Sequence, residues 1–377
     1  MKQDMVEQKL RIGLIFGGRS AEHEVSLMSA TSVLAALDPE KYEVTCIGVT
    51  HDGAWLVGED VLEAMKTGRA QSLHPAVLLH DPAQSELFCI RKQDTGRQLE
   101  MVTRLDVLFP LIHGTNGEDG TIQGLFELAD RAYVGSGVVG SAVGMDKVVF
   151  KDVMRANGIP VVRSTLILRQ DFEHRPEAAI EAAEALGPYP LFTKPVNLGS
   201  SVGISKCVSR SDLMEGLIEA ARYDRRILVE QGIDAREIEV SVLGNEHPIA
   251  SVPGEVLPSR EFYSYESKYT DGTSELLIPA PLEEEEVRQF QDFAVRAYEA
   301  CDCAGLARVD FLMEKRSRRI ILNELNTIPG FTNISMYPKL WMASGFTYPG
   351  LVDRLIELAL ERKAQRDRTE HRFWRDG

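Results

Sequence analysis

Two late segments, GLARVDFLM (305–313) and RRIILNELN (318–326), carry the clearest chemical pattern. In a strand, side chains at i and i+2 face the same way. Arg308 and Asp310 therefore share a face, as do Glu324 and Asn326. If the strands pair as a hairpin across the charged turn EKRS, that face displays carboxylates, an amide and a guanidinium. Oxygen-only ligands suit Mg²⁺, which keeps coordination sites for substrate phosphates. The plainer alternative is a wet face of an exposed hairpin, with Val309, Phe311, Leu322 and Leu325 on the other side. Patterning alone leaves both open. NTIPGF (326–331) follows directly. A Pro-Gly break there puts free backbone N–H groups beside the carboxylates, where they can stabilise an oxyanion or simply form a turn.

A second constellation is KPVNLGSSVG (194–203). Glycines and serines in a loop let N–H and hydroxyl groups approach phosphate oxygens, and Lys194 supplies a point charge. No G-K-[ST] closes the loop, so it is not a Walker A motif. Lys147 is a further candidate cation. A third constellation, FGGRSAEHEVS (16–26), joins a strand, a diglycine and a helix start, which suits an anion or a charged substrate group. It lacks G-x-G-x-x-G, so a dinucleotide has little support. His113, in LIHGTNGEDG, stands at the carboxyl end of a strand, where open α/β sheets bind ligands. His23 has acidic neighbours but no partner at H-x-x-x-H spacing, which argues against a metal there. No Ser-His-Asp signature is present, and the serines of GSSVG (199–203) lack an evident paired base nearby, so nucleophilic catalysis is disfavoured.

The elements that must position these groups alternate. Strands at 11–18, 41–50 and 105–114 interleave with helices after residue 19 and at 120–129, the pattern of a parallel α/β sheet. A helix at 146–158, strands at 189–195 and 225–231, and a helix at 211–224 with Ser211 as its N-cap make a second unit. The third unit holds a strand at 237–244, a long polar and aromatic segment (259–275), a helix at 283–300, the two late strands and a last helix. The segment at 259–275 is too long for a routine turn and reads as a functional loop. The tail from residue 362 is highly charged and reads as frayed.

Composition bounds the function. The chain has 377 residues, 44% of them hydrophobic and 26% charged, which excludes bulk disorder. A net charge of −15 argues against nucleic acid as a partner. No apolar run approaches a membrane span, and the polar start MKQDMVEQK has no signal-peptide core, so a cytoplasmic location is expected. Five scattered cysteines fit reduced thiols, and the C-x-C at 301–303 lacks the second pair of a zinc site.

Together, FGGRSAEHEVS, HGTNGEDGTIQG, GSSVGISK, ARVDFL and NELNTIPGFTNISMYP, in this order, make the chain resemble the D-alanine–D-alanine ligases of the ATP-grasp superfamily. The resemblance runs from about residue 11 to about residue 362. It implies an α/β, three-domain ATP-grasp architecture with an N-terminal parallel-sheet domain, divided as 1–140, 141–230 and 231–377. It also implies ATP as substrate, two Mg²⁺ (or Mn²⁺), D-alanine as the partner molecule and a homodimer. By the same resemblance, Asp310, Glu324 and Asn326 hold the metals, and Lys147 and Lys194 meet the phosphates. Glu230 and Glu237 match the positions that hold adenine and ribose, while Arg308 and the N–H of Gly330 form the oxyanion hole. Glu22 receives the first D-alanine's ammonium, with His113 near its carboxylate, and Ser335 with Met336 takes the second carboxylate. Lys268 and Tyr269 match the Lys-Tyr of a closing loop, with Tyr269 expected to reach Ser200 and Glu22. That tyrosine favours an amine over the hydroxyl nucleophile of the related D-lactate ligases. Ile328 and Thr193 depart from the usual Leu or Met and Val, without altering the chemistry implied. A nucleotide-binding scaffold without catalysis is the non-enzyme alternative, and the intact set of polar residues weighs against it.

Overall fold

A computed structural model describes residues 9–84, 86–199, 202–257 and 275–370. Three sheets organise them, in the chain order that the alternation of elements implies. The first has eight strands. Leu10–Gly17 lies between Tyr42–Val49 and Val107–Pro110, and Ala132–Tyr133 closes that end, all in parallel pairs. The other half is an antiparallel extension through Trp55–Val57, His74–Leu78, Glu86–Gln93 and Gly96–Arg104. The expected parallel-sheet domain is thus a mixed sheet. The extension is hard to read because its edge strand, Gly96–Arg104, is exposed at nearly every position and so lacks an apolar face.

The second sheet has four antiparallel strands: Ser205–Cys207, Leu191–Pro195, Arg226–Gln231 and Ser164–Leu168. Helices Pro176–Glu184 and Arg210–Tyr223 cover one face through Ile180, Ala183, Leu213 and Leu217. The N-cap of the latter helix is Ser209, not Ser211, because Ser209 Oγ accepts from the Asp212 N–H at 3.2 Å. The third sheet runs Glu275–Leu277, Gly254–Leu257, Ala235–Gly244, Gly305–Glu314 and Ile320–Asn326, all antiparallel. Phe290, Ala294 and Tyr298 of helix Glu284–Ala300 fill its apolar side with Phe150 and Met154 of helix Lys147–Ala156.

The ends of the chain share one core. Leu351, Val352, Leu355 and Ile356 of helix Tyr348–Arg366 are buried with Ile12, Phe109 and Ala132 of the first sheet. The start of the charged tail, through Arg366, is therefore anchored, where the sequence reads as frayed. Arg362 donates to Gly135 O at 2.5 Å and to Glu127 at 3.0 Å, and Arg366 pairs with Glu127 and with Asp130 at 2.8 Å. No helix among the described residues is long and apolar enough to cross a membrane. Because Leu355 is fully buried in this shared core, Leu355→Ala should cost about 2–5 kcal/mol. Urea unfolding checks this, and a loss below about 1 kcal/mol would show that the helix is only loosely docked.

Candidate active site

The strand Gly305–Glu314 is flanked on both sides, which sets the charged groups in rows across the third sheet. Glu239, Asp310 and Glu324 occupy one row, and Ser241, Arg308 and Asn326 the next. Strict alternation would put Leu322 on the same side as Glu324. A bulge between Asp310 and Phe311 skips Asn323, so Leu322 and Leu325 are both buried while Glu324 and Asn326 keep the polar side. The hairpin face is therefore not a wet surface: it forms a wall of a cavity of about 680 Å³.

Like charges in one row repel, and Arg308 offsets them. It donates twice to Asp310, at 2.7 Å each, and reaches Glu239 at 3.0 Å. Asn326 Nδ2 donates to Asp310 Oδ2 at 3.0 Å, leaving Asn326 Oδ1 as its remaining side-chain acceptor. Asp310, Glu324 and Asn326 thus offer oxygen atoms only, a donor set that fits Mg²⁺ or Mn²⁺.

The opposite wall comes from the second sheet. Glu230 is buried and pairs with Lys151 at 2.7 Å and Lys194 at 2.6 Å. Burial works against its charge, but the two ammonium groups outweigh burial and hold the carboxyl at about 2. Burial likewise opposes the charge on Lys194, while Glu230, Glu324 and Glu237 outweigh it and hold that ammonium above its ordinary value. Lys147, the first residue of its helix, donates to Leu198 O at 2.8 Å, and burial pushes its pKa down. Phe192, Ile233 and Leu312 add apolar lining, and Glu237 pairs across the sheet with Leu312.

The N-terminal sheet closes the cavity with its loops. Glu22 lies against Gly114 and Gly199 so closely that a Cβ at either would stand 2.8 or 3.0 Å from Glu22 Oε2. His113 Nδ1 donates to Ile328 O at 2.8 Å, and Nε2 meets Ser29 Oγ at 3.2 Å. Ser29 Oγ also accepts the Phe331 N–H at 3.2 Å. Glu118 accepts from Gly114 N at 2.8 Å and Ile328 N at 2.9 Å. Thus the NTIPGF loop, with Gly330 on the cavity, is tied to residues more than two hundred positions earlier.

Comparisons of the sequence and of the fold agree on ancestry. The family model described as D-ala D-ala ligase N-terminus matches residues 11–136, and D-ala D-ala ligase C-terminus matches residues 153–357. The chain belongs to the D-alanine–D-alanine ligase family. It is 48% identical to the D-alanine–D-alanine ligase of Heliobacterium modesticaldum, covering 96% of this chain and 98% of that one. It is 46% identical to that of Natranaerobius thermophilus, over 97% and 99%. Among solved structures, the D-alanine–D-alanine ligase from Coxiella burnetii matches with a TM-score of 0.79 at 36% identity, over 95% and 96% of the two chains. The VanG D-Ala:D-Ser ligase from Enterococcus faecalis matches with a TM-score of 0.82 at 35% identity, over 93% and 100%. The architecture is accordingly that of the ATP-grasp ligases.

Of the residues the family resemblance singles out, one cavity gathers Glu22, His113, Lys147, Lys194, Glu230, Glu237, Arg308, Asp310, Glu324, Asn326 and Gly330. Ser335 and Met336 do not line it. Ser335 Oγ bonds Thr332 at the start of helix Met336–Ala343, and Met336 packs on Val256 and Leu340. Ser200, Lys268 and Tyr269 lie outside the described residues. Sequence reasoning passed over Glu118, Lys151 and Glu239. The last two were within reach: Lys151 stands one helical turn from Lys147, and Glu239 two residues from Glu237 on the same strand face. Glu118 has no such signal, because its partner Ile328 is brought to it only by folding.

Burial, reinforced by the charge of Glu22, pushes the Glu118 carboxyl up to about 8 from its ordinary 4.5. The folded chain keeps a proton there that the unfolded chain releases above 4.5, so this contribution to stability is full below that pH and is lost as pH rises to about 8. Melting temperatures of the parent should therefore drop more steeply across this range than those of Glu118→Gln, which has no charge to bury. Parallel curves for the two proteins would contradict the assignment.

Proposed function

We propose that this chain joins two D-alanines into D-alanyl-D-alanine for peptidoglycan synthesis, with ATP converted to ADP and phosphate. The reading rests on one observation. A chain nearly half identical to D-alanine–D-alanine ligases over almost its whole length gathers its phosphate-handling lysines, its oxygen-only carboxylate row and Glu22 around a single cavity.

The three segments 1–140, 141–230 and 231–377 act as lobes, each centred on one sheet. ATP lies between the second and third sheets, its base toward the apolar lining beside Glu230 and Glu237. Lys147 and Lys194 neutralise its phosphates. Asp310, Glu324 and Asn326 hold two Mg²⁺ (or Mn²⁺), which when bound supply charge neutralisation for the transferring phosphoryl group. Glu22 takes the ammonium of the first D-alanine, whose carboxylate attacks the γ-phosphorus of ATP; the bond to ADP breaks and an acyl phosphate forms. The amine of the second D-alanine then attacks that carbonyl, loses a proton, and inorganic phosphate leaves. Arg308 and the Gly330 N–H stabilise the oxyanion of the tetrahedral intermediate. His113 acts chiefly through Ile328, setting the loop that carries that N–H, since both its ring nitrogens are bonded to protein atoms. Ser335, with the backbone at Met336, receives the second carboxylate. Exclusion of water protects the acyl phosphate, a task the sequence assigns to Lys268, Tyr269 and Ser200. The five cysteines are all free thiols, which supports the reducing cytoplasm as the site of action. A homodimer is the assembly that the family resemblance supports.

The similarity to a D-Ala:D-Ser ligase makes the second substrate the point to test. The Lys268–Tyr269 pair favours D-alanine over D-lactate. Phosphate release should depend on D-alanine and not L-alanine, and mass analysis with D-alanine, D-serine and D-lactate supplied together should show chiefly the alanine dipeptide. A mainly serine-containing or ester product would overturn the substrate assignment, and D-alanine-independent hydrolysis would overturn ligation.

Glu324→Gln should lower kcat by at least about 100-fold while shifting nucleotide affinity by less than about 10-fold, because a carboxylate that would hold the metal ions acts most strongly on developing charge. Steady-state kinetics and nucleotide titration separate the two. Near-normal turnover would remove Glu324 from the metal set.

A further inference from the structure

A third lysine stands behind the wall that carries Lys147 and Lys194. Lys151 is only 1% exposed and does not line the cavity. It lies in helix Lys147–Ala156, whose Phe150 and Met154 fill the core of the third sheet. Its ammonium reaches Glu230 Oε1 of the second sheet at 2.7 Å and donates to Asn323 O of the third at 3.3 Å. Lys194 takes the other Glu230 oxygen at 2.6 Å. Asn323 is the residue that the bulge of the late hairpin skips in the register. The bulge is held on both sides: Leu322 N–H donates to Pro160 O at 2.7 Å, and Lys151 holds the Asn323 carbonyl. That carbonyl and the Glu324 N–H belong to one planar peptide unit. Holding the carbonyl therefore holds the Cα from which Glu324 reaches the cavity.

We propose that Lys151 is a positioning residue for the metal row: it ties Glu230 of the second sheet to the bulge, so that Glu324 keeps its aim. It does so on the reading that Asp310, Glu324 and Asn326 hold the metal ions. A bulge carries one residue more than its partner strand, so the ladder does not set that residue's backbone. A metal-holding carboxylate nevertheless needs its oxygen within about 0.2 Å of the ion's preferred distance. Groups behind the ligands supply that precision, and losing one typically weakens metal binding about 10–100-fold. A buried ammonium suits the task. Its bonds are charge-assisted, and swinging away would strand the Glu230 carboxylate in a buried setting. One cation thus sets the carboxylate proposed beside the base and, through Asn323, one proposed at the ions.

The test uses the full chain with a saturating non-hydrolysable ATP analogue, and follows Mn²⁺ binding by loss of the free ion's electron paramagnetic resonance signal. Lys151→Met keeps the apolar stem and removes the ammonium, and should weaken Mn²⁺ binding at least about 10-fold. The Mg²⁺ concentration for half-maximal phosphate release should rise by a similar factor. The double variant Lys151→Met/Glu230→Gln leaves no lone buried carboxylate, so it decides the matter if the single variant does not fold. It should lose Mn²⁺ affinity to the same extent, because nothing then holds the Asn323 carbonyl. A merely structural lysine would lower the melting temperature and leave Mn²⁺ binding alone. The proposal therefore fails if either folded variant binds Mn²⁺ within about 2-fold of the parent, well inside the loss expected for a positioning group. A parent whose Mn²⁺ affinity survives Glu324→Gln would instead overturn the metal-row reading, and the role of Lys151 with it.

Discussion

The peptide unit of Ile328 is the joint on which the cavity turns. Its carbonyl accepts from His113 and its N–H donates to Glu118, so one residue of the late NTIPGF loop is gripped by two side chains more than two hundred positions earlier. Ser29 extends the grip to Phe331 three residues on. His113, Ser29, Ile328 and Phe331 are buried, where an unmade hydrogen bond is costly, so the geometry has little room to drift. Phe331 in turn lies in the core shared by the first sheet and the terminal helix. Position of the NTIPGF loop is thereby made a property of the hydrophobic core rather than of the loop itself.

Electrostatics explain why so acidic a chain can handle a highly charged nucleotide. The cavity does not carry a uniform field. Carboxylates form a row on one wall, where Arg308 compensates part of their charge, and lysines gather on the other around a buried glutamate. Glu230 draws Lys151 and Lys194 into a region that would otherwise disfavour ammonium groups. Carboxylate oxygens on the first wall suit cations, and the ammonium groups of the second suit anions. The net charge of −15 is a property of the whole surface, not of this space.

Much of the site was legible because its residues follow local rules. Period-two alternation marked Arg308, Asp310, Glu324 and Asn326, and glycine loops at strand ends marked 16–26 and 194–203. The parallel strands were visible as short apolar runs. The antiparallel extension was not, because a strand exposed on both faces carries no periodic signal. The tail illustrates the same limit. Arg362 and Arg366 look like solvated charge in sequence, yet they hold Glu127 and Asp130 on a distant helix end.

The sequence by itself determined the order of the elements, the family and the chemical types gathered at the site, since these depend on composition, period and motif. Tertiary structure alone decided three things. It set Glu118 against Ile328, it bulged the late hairpin so that Leu322 turned inward while Glu324 stayed in the cavity, and it brought His51 beside His23 across two loops. Each joins residues whose separation along the chain carries no period, and such pairings become fixed only when sheets stack and loops pack.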